Sequence, residues 1–161
     1  MALAFEEENM TRVSKATFVS AIPRDLNRVV ALIKKYYRFE GIPFNRSLVE
    51  NGVKTLLTGR SLGSVWMIRI GKAVAGYCIL TYGYDIEFGG RIGTVTDLYI
   101  VPKYRRCGLG RKTLEFIEAT CLKKGFRALE LQVTRGNIRA RKFYRALGFT
   151  GHDRIPQSKE L

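Results

Sequence analysis

Val101-Pro102-Lys103-Tyr104-Arg105-Arg106-Cys107-Gly108-Leu109-Gly110-Arg111 is the stretch that decides how this chain is read. An apolar run from Val95 to Val101 leads into it with the character of a buried strand, and an amphipathic helix opens from its far end. A glycine-rich turn between strand and helix makes a pocket for anions. The first N–H groups of the helix have no carbonyl to bond, and the helix dipole adds positive charge at the same place. Gly108 and Gly110 carry no Cβ, so a phosphate can approach the backbone and the chain can take φ > 0 where needed. The turn is expected to hold a pyrophosphate.

Two common phosphate motifs are excluded by counting. A P-loop needs G-x-x-x-x-G-K-[ST], but five residues before Gly110 stands Arg105, and the residue after it is Arg111. A dinucleotide fingerprint needs a third glycine at position 113, which is Thr113, and belongs in the first βα unit of a chain. The spacing Arg105-x-x-Gly108-x-Gly110 instead resembles the acetyl-CoA loop of the GNAT superfamily of N-acetyltransferases, Gln/Arg-x-x-Gly-x-Gly/Ala.

A second block stands about 30 residues further on: Asn137-x-x-Ala140-x-x-Phe143-Tyr144-x-x-Leu147-Gly148-Phe149. By itself it is an amphipathic helix with an N-cap and a terminating glycine. With a strand between it and the glycine loop, it resembles the second signature of the same superfamily. The likeness runs more loosely through Tyr82 to Arg91 and Thr96 to Ile100, and covers roughly residues 17 to 150. The fold it implies is α/β (α+β), the GNAT fold. That fold has a mixed central β-sheet flanked by helices, with a parallel strand pair splayed at the acetyl-CoA site.

The resemblance also implies roles. Backbone groups of Leu98, Tyr99, Ile100 and Val101 pair with the pantetheine arm of coenzyme A as an added strand would. Arg105 heads the loop, and N–H groups of Arg106, Cys107, Gly108, Leu109, Gly110 and Arg111 hold the pyrophosphate. Asn137 both caps its helix and meets the pantetheine arm, while Ala140 and Phe143 wall the cofactor tail. Tyr144 places its hydroxyl near the sulfur, where a phenol of pKa about 10 can protonate the departing thiolate. An amine of pKa about 10.4 must in turn lose a proton before it attacks. Asp97, a carboxylate inside an otherwise apolar strand, is the expected base, directly or through water; pairing with an arginine is the structural alternative. Glu87 and Glu40 are the fallback candidates. The loop Tyr36 to Phe44 and the turn Tyr84 to Arg91 are expected to flank the acceptor, with Glu40, Tyr84 and Glu87 as its contacts. A small amine or an amino-acid-like acceptor is preferred.

Composition bounds the rest. The chain has 161 residues, enough for one domain with a sizeable core, expected over residues 16–161. Residues 1–15 form an N-terminal extension for which disorder is an option. No apolar run approaches a membrane span, and the first 15 residues, with Glu6-Glu7-Glu8, lack the apolar core of a secretory signal. The cytoplasm is therefore the expected compartment. Three cysteines, no C-x-x-C pair and one histidine argue against a metal site or a disulfide framework. Cys78, Cys121 and Cys107 are read as small filler residues.

Charge is unevenly placed. Residues 101–161 hold 15 of the 28 Lys and Arg but 5 of the 14 Asp and Glu, for a net charge of +14 overall. Such a field attracts a polyanion, either coenzyme A or nucleic acid. Two rival functions follow: a non-catalytic acyl-CoA-binding module, which needs no acid at Tyr144, and a basic nucleic-acid-binding protein. The latter calls for exposed aromatics interleaved with Lys and Arg, whereas the aromatics of the basic half fall mainly on apolar helix faces. An amine-bearing acceptor is the expected partner and a second copy of the chain a further one; neither a membrane nor nucleic acid is expected.

Pattern and punctuation give the elements. Ala16–Ser20 reads as a strand, and Pro23 opens a helix with the stripe Leu26, Val29, Val30, Ile33 and Tyr37. Ser47-Leu48-Val49-Glu50 has the form of a capping box for a helix ending near Gly59. Val65–Ile70 and Ala73–Tyr84 make a hairpin around Gly71-Lys72, and Phe88-Gly89-Gly90 turns into Ile92–Val101. A helix from Leu109 to Lys124 stops at Gly125, and the strand Ala128–Val133 should run parallel to the one before that helix. After the helix capped by Asn137, a short edge strand is expected from Phe149.

Overall fold

The structure is a computed structural model that describes Val13 and residues 15–160. The expected extension over residues 1–15 therefore lies almost wholly outside the described residues. The chain groups into two compact units, one up to Leu131 and one from Gln132 onward.

The first unit is built on a five-stranded sheet whose spatial order follows the chain. Strand β1 (Ala16–Ser20) leads through a turn at Pro23–Asp25 into α1 (Leu26–Glu40) and α2 (Arg46–Thr58). Then come β2 (Gly63–Ile70), β3 (Ala73–Asp85), β4 (Gly90–Ile100), α3 (Leu109–Lys123) and β5 (Ala128–Leu131). The first four strands pair antiparallel, and β4 pairs parallel with β5.

Strand alternation sends neighbouring residues to opposite faces of the sheet, and a bulge at Ala75 of β3 resets the alternation there, so that Ala75 and Tyr77 face opposite ways. Val65, Met67, Tyr77, Ile79 and Tyr99 pack beneath Val29, Ile33, Val53 and Leu57 of α1 and α2. On the other face Ile68 and Ala75 meet Leu109, where α3 begins, with Leu98 and Ile100 packed alongside. Each fully buried aliphatic or Met side chain of this kind contributes about 1.5–3 kcal/mol. Thr113 is buried on the inner side of α3 and satisfies its hydroxyl by donating to the Leu109 carbonyl at 2.8 Å.

Several boundaries differ from the sequence reading by one or two residues, two of them with a clear cause or consequence. The cap of α2 is Asn45, whose Oδ1 accepts the Leu48 N–H at 3.1 Å; Ser47 lies inside the first turn. Glu50 pairs with Arg46 at 2.7 Å instead of closing a capping box. Strand β5 stops at Leu131, two residues early.

The second unit carries α4 (Ile138–Arg145), capped by Asn137 as expected, and Gly148 follows it with φ of 89°. Residues 149–160 form no strand. Pro156 lacks an N–H and Gly151 lacks a packing side chain, so the stretch has little with which to build a ladder.

Candidate functional site

Strand β4 positions the first group of candidate residues. Its antiparallel ladder with β3 slips one residue: Ile79 pairs with Asp97 but Leu80 pairs with Val95, leaving Thr96 as the extra residue of a bulge. A bulge bends its strand and re-aims the side chains beside it. Asp97 emerges on the face covered by α1, half-buried, and its Oδ2 accepts a hydrogen bond from the Tyr77 hydroxyl at 2.8 Å. Tyr77 is wholly buried and sits within a cluster of rings: Tyr36 and Tyr99 have centroids 6.5 and 6.3 Å from its own. Burial pushes the Asp97 carboxyl above its ordinary range, and the Tyr77 hydrogen bond opposes part of that rise. The same burial, reinforced by the Asp97 charge, holds the Tyr77 phenol firmly protonated. The partner of Asp97 is thus a phenol, where an arginine was the structural alternative.

Beyond Asp97, β4 has a second, open edge. The parallel ladder joins Ile92–Val95 to Ala128–Leu131 and ends there, while β4 continues to Ile100. The Val101 N–H donates to Ala75 of β3, so by alternation Leu98 and Ile100 turn their backbone groups to the side away from β3. There the Ile100 carbonyl accepts from the Arg105 Nε at 2.7 Å. The Arg105 guanidinium lies over the rings of Phe39, at 4.4 Å, and Tyr99, at 5.4 Å. Arg105 therefore bridges the open edge of β4 to the end of α1 and does not point its charge along the loop.

The loop itself has the form an anion needs. Arg106, at φ 61°, is the one non-glycine residue with positive φ among those described, and Gly108 follows at φ 85°. A Cβ built on Gly108 would meet nothing within 4 Å, so its open side is free for an oxyanion. The first bond of α3 runs from the Lys112 N–H to the Gly108 carbonyl, which leaves Leu109, Gly110 and Arg111 without a carbonyl one turn earlier. A pyrophosphate fits this cradle, and an extended amide-bearing arm fits the free edge of β4. Cys107 donates its thiol hydrogen to the Tyr104 carbonyl at 3.0 Å, in keeping with the filler role. Cys78 and Cys121 are buried; burial raises both thiols, Cys121 to about 11.

In the second unit, the Asn137 Oδ1 accepts the Ala140 N–H at 3.0 Å, which leaves the amide NH2 of the same side chain available as a donor. Asn137, Ala140 and Tyr144 follow one another at helical spacing on one side of α4. Tyr144 packs between Phe143 and Phe149, with ring centroids at 5.3 and 5.9 Å.

The expected acceptor contacts separate. Glu40 closes α1, next to the Phe39 that meets Arg105. Tyr84 and Glu87 belong to the tip of the β3–β4 hairpin, where Tyr84 pairs with Arg91 and the Glu87 N–H donates to Asp85 at 2.7 Å. Six residues of β4 separate that level from Asp97, roughly 20 Å. The structure brings Glu40 toward the loop and does not bring Tyr84 or Glu87 to Asp97. Tyr77 is the functional candidate the sequence reading missed. Its one signal is alternation: a diagonal cross-strand neighbour of Asp97 on the same face, visible only once the register is known. Among the described residues no group of His, Cys, Asp and Glu is arranged to hold a metal, and no helix is long and apolar enough to cross a membrane.

Comparison with known proteins gives the family. The sequence pattern of the acetyltransferase (GNAT) family matches residues 26–149. An uncharacterized N-acetyltransferase of Archaeoglobus fulgidus is 32% identical over 123 residues, 74% of this chain and 83% of that protein. The thialysine N-epsilon-acetyltransferase of Bos taurus is 36% identical over 78 residues; the match spans 48% of this chain and 45%, under half, of that relative's length. Among solved structures, an integron cassette protein from the mobile metagenome of Cole Harbour Salt Marsh superposes with a TM-score of 0.79 at 27% identity, over 93% of this chain and 92% of its own. The chain belongs to the acetyltransferase (GNAT) family, the acetyl-CoA-dependent N-acetyltransferases.

Proposed function

We propose that this chain acetylates a small amine or amino-acid-like molecule by direct attack of the free amine on acetyl-CoA. The observation that carries the reading is the half-buried Asp97 carboxylate, set at a bulge in β4 directly before the open strand edge and the anion loop. Backbone groups of Leu98 and Ile100 and N–H groups of Arg106 to Arg111 bind the cofactor, and the guanidinium of Arg105 leaves the Ile100 carbonyl as the arm arrives; Tyr99 and Val101, expected to join them, turn their N–H groups to β3 instead. Acetyl-CoA supplies an acyl group as a thioester, electrophilic at its carbonyl carbon. Asp97 takes the proton of the acceptor ammonium, directly or through water, and thereby frees the nitrogen lone pair. As the C–S bond breaks, the Tyr144 hydroxyl gives a proton to the departing sulfur and the nitrogen gives up its second proton, which returns to the Tyr144 oxygen directly or through water; the products are an amide and a neutral thiol, and Asp97 releases its proton to solvent. The acceptor class draws support from the bovine relative, whose name specifies the ε-nitrogen of thialysine.

The test is acetyl-CoA consumption across a panel of primary amines, with ligand-induced thermal shift as the control for binding. Turnover on at least one small amine is expected. Tyr144→Phe should lower turnover by about 10², the lower end of general-acid effects, because water can substitute in an open site. Its acetyl-CoA binding should barely change. A thermal shift with acetyl-CoA but no turnover on any amine would leave a binding module. Parent-rate turnover by Tyr144→Phe, with chemistry rate-limiting, would make Tyr144 a packing residue.

A further inference from the structure

A cavity lies in the first unit, lined by no residue of the anion loop. The end of α2, the start of β2, Tyr82 of β3 and the last turn of α3 enclose about 250 Å³, roughly eight times the volume share of a water molecule. Gly63 on its rim pairs with Thr81, which pairs with Thr94, roughly 20 Å along β4 from Ile100. Leu56, Leu57, Val65 and Trp66 supply apolar wall, and Arg60 and Lys124 supply positive charge. Among the described residues no Asp or Glu lines it.

A chain of hydrogen bonds runs along one wall. The Lys124 ammonium donates to the Tyr82 oxygen at 2.7 Å, the Tyr82 hydroxyl donates to Ser64 Oγ at 3.0 Å, and the Trp66 indole N–H donates to the same Oγ at 2.9 Å. Counting protons shows what this chain lacks. It contains two oxygens as acceptors, and it must place three ammonium protons, two hydroxyl protons and one indole proton. Whichever way the bond between Tyr82 and Ser64 points, one hydroxyl proton and two ammonium protons of the exposed Lys124 remain for water or for a bound acceptor. Thr120, also on the wall, offers no proton of its own, since its hydroxyl is committed to the Phe116 carbonyl at 2.8 Å. The cavity sets these donors and two cations beside an apolar wall, with the Ser20 hydroxyl as a further polar group and no carboxylate among the described residues. A few convergent polar groups in an apolar cleft are the usual make-up of a small-molecule site.

We propose that this cavity binds a small monocarboxylate, its apolar body against Trp66 and Leu56 and its carboxylate among Lys124, Arg60 and the hydroxyl pair of Ser64 and Tyr82. A carboxylate is the complement of this wall because it accepts hydrogen bonds at two oxygens, donates none and carries one charge. The site shares no residue with the proposed acetyl-transfer site.

Trp66 is the single tryptophan of the chain, so its fluorescence reads this wall directly. The full chain is titrated with phenylacetate and hexanoate, and in parallel with their neutral amides, to about 10 mM, with and without saturating coenzyme A. Saturable quenching or enhancement is expected for at least one acid, with its amide at least tenfold weaker and coenzyme A without effect. Lys124→Met should weaken the acid at least fivefold, Lys124→Arg should restore it, and all variants should keep the parent's melting temperature within about 2 °C, since residue 124 is exposed. Arg60→Gln, on the other side of the cavity, should weaken the acid as well and serves as the second variant. Four results overturn the proposal: no saturable response to either acid, equal response to acid and amide, loss of the response with coenzyme A, or parent affinity in both variants.

Discussion

At the scale of one residue, Asp97 sets stability against the base role proposed for it. Its carboxyl is raised above the ordinary range near pKa 4 by burial, so the folded chain holds that proton more tightly than the unfolded chain. The stability this provides is complete below the ordinary carboxylate pKa and is lost as pH rises through the folded-state value. At neutral pH the ionised group therefore weighs against folding. Asp97→Asn removes the charge and keeps an oxygen for the Tyr77 hydroxyl; it should melt at or above the parent temperature at pH 8, and the difference should shrink toward pH 4. Turnover should move the other way, falling most at low pH, where amine deprotonation is hardest. Tyr77→Phe tests the same contact from its donor side. Losing the 2.8 Å hydrogen bond removes the one interaction that lowers the Asp97 pKa, so the acidic limb of the kcat/KM profile should shift to higher pH. An unmoved limb would mean that Asp97 is not the titrating base.

At the scale of elements, helix caps carry the clearest consequences. Asn45 accepts the Leu48 N–H, so Asn45→Ala should cost about 1 kcal/mol in urea unfolding, whereas Ser47→Ala should stay within about 0.5 kcal/mol. The reverse order would restore the capping box that the sequence suggests at Ser47. Asn137 separates a structural from a binding duty. Asn137→Ala should lose the cap of α4 and weaken acetyl-CoA binding; Asn137→Ser should regain the cap through its hydroxyl but not the affinity, because serine lacks the amide NH2. Recovery of affinity in the serine variant would mean that Asn137 acts on the cofactor through the helix alone. These cases also mark how far elements were legible in the chain. Turns at Gly71-Lys72 and Phe88-Gly89-Gly90 give the hairpins because their residues dictate backbone shape. Asn45 and Ser47 are both good caps, and nothing local distinguishes them. The bulge at Thr96 is a property of two strands in register, and Tyr77 acquires a role only through that register. Phe149 onward looked like a strand, but a strand needs a neighbour, which no single segment declares.

The whole molecule adds a property that no element holds. The glycine loop and the Asn137 block, far apart in the chain, suffice to name the architecture because each has its shape written in adjacent residues. The +14 charge is legible too, but its use is not, since position decides what a field attracts. With 28 cations against 14 acids, one-to-one pairing leaves at least half of the cations unneutralised, whatever ion pairs form. A long-range field of this size should steer a polyanionic cofactor, and salt should weaken it as the Debye length falls from about 10 Å at 0.1 M to about 3 Å at 1 M. Raising NaCl from about 0.05 to 0.5 M should therefore raise the KM for acetyl-CoA several-fold while kcat stays nearly constant, because the proton transfers proposed at Asp97 and Tyr144 are local. If coenzyme A is the main beneficiary of the field, random RNA at about 1 μM should leave that KM unchanged near 0.15 M salt, where non-specific binding is only about 10⁻⁴ to 10⁻⁶ M. A KM indifferent to salt would strip the field of a role in cofactor capture. Sub-micromolar, salt-sensitive RNA binding that leaves acetyl-CoA kinetics untouched would assign the excess charge to nucleic acid, on a surface apart from the glycine loop.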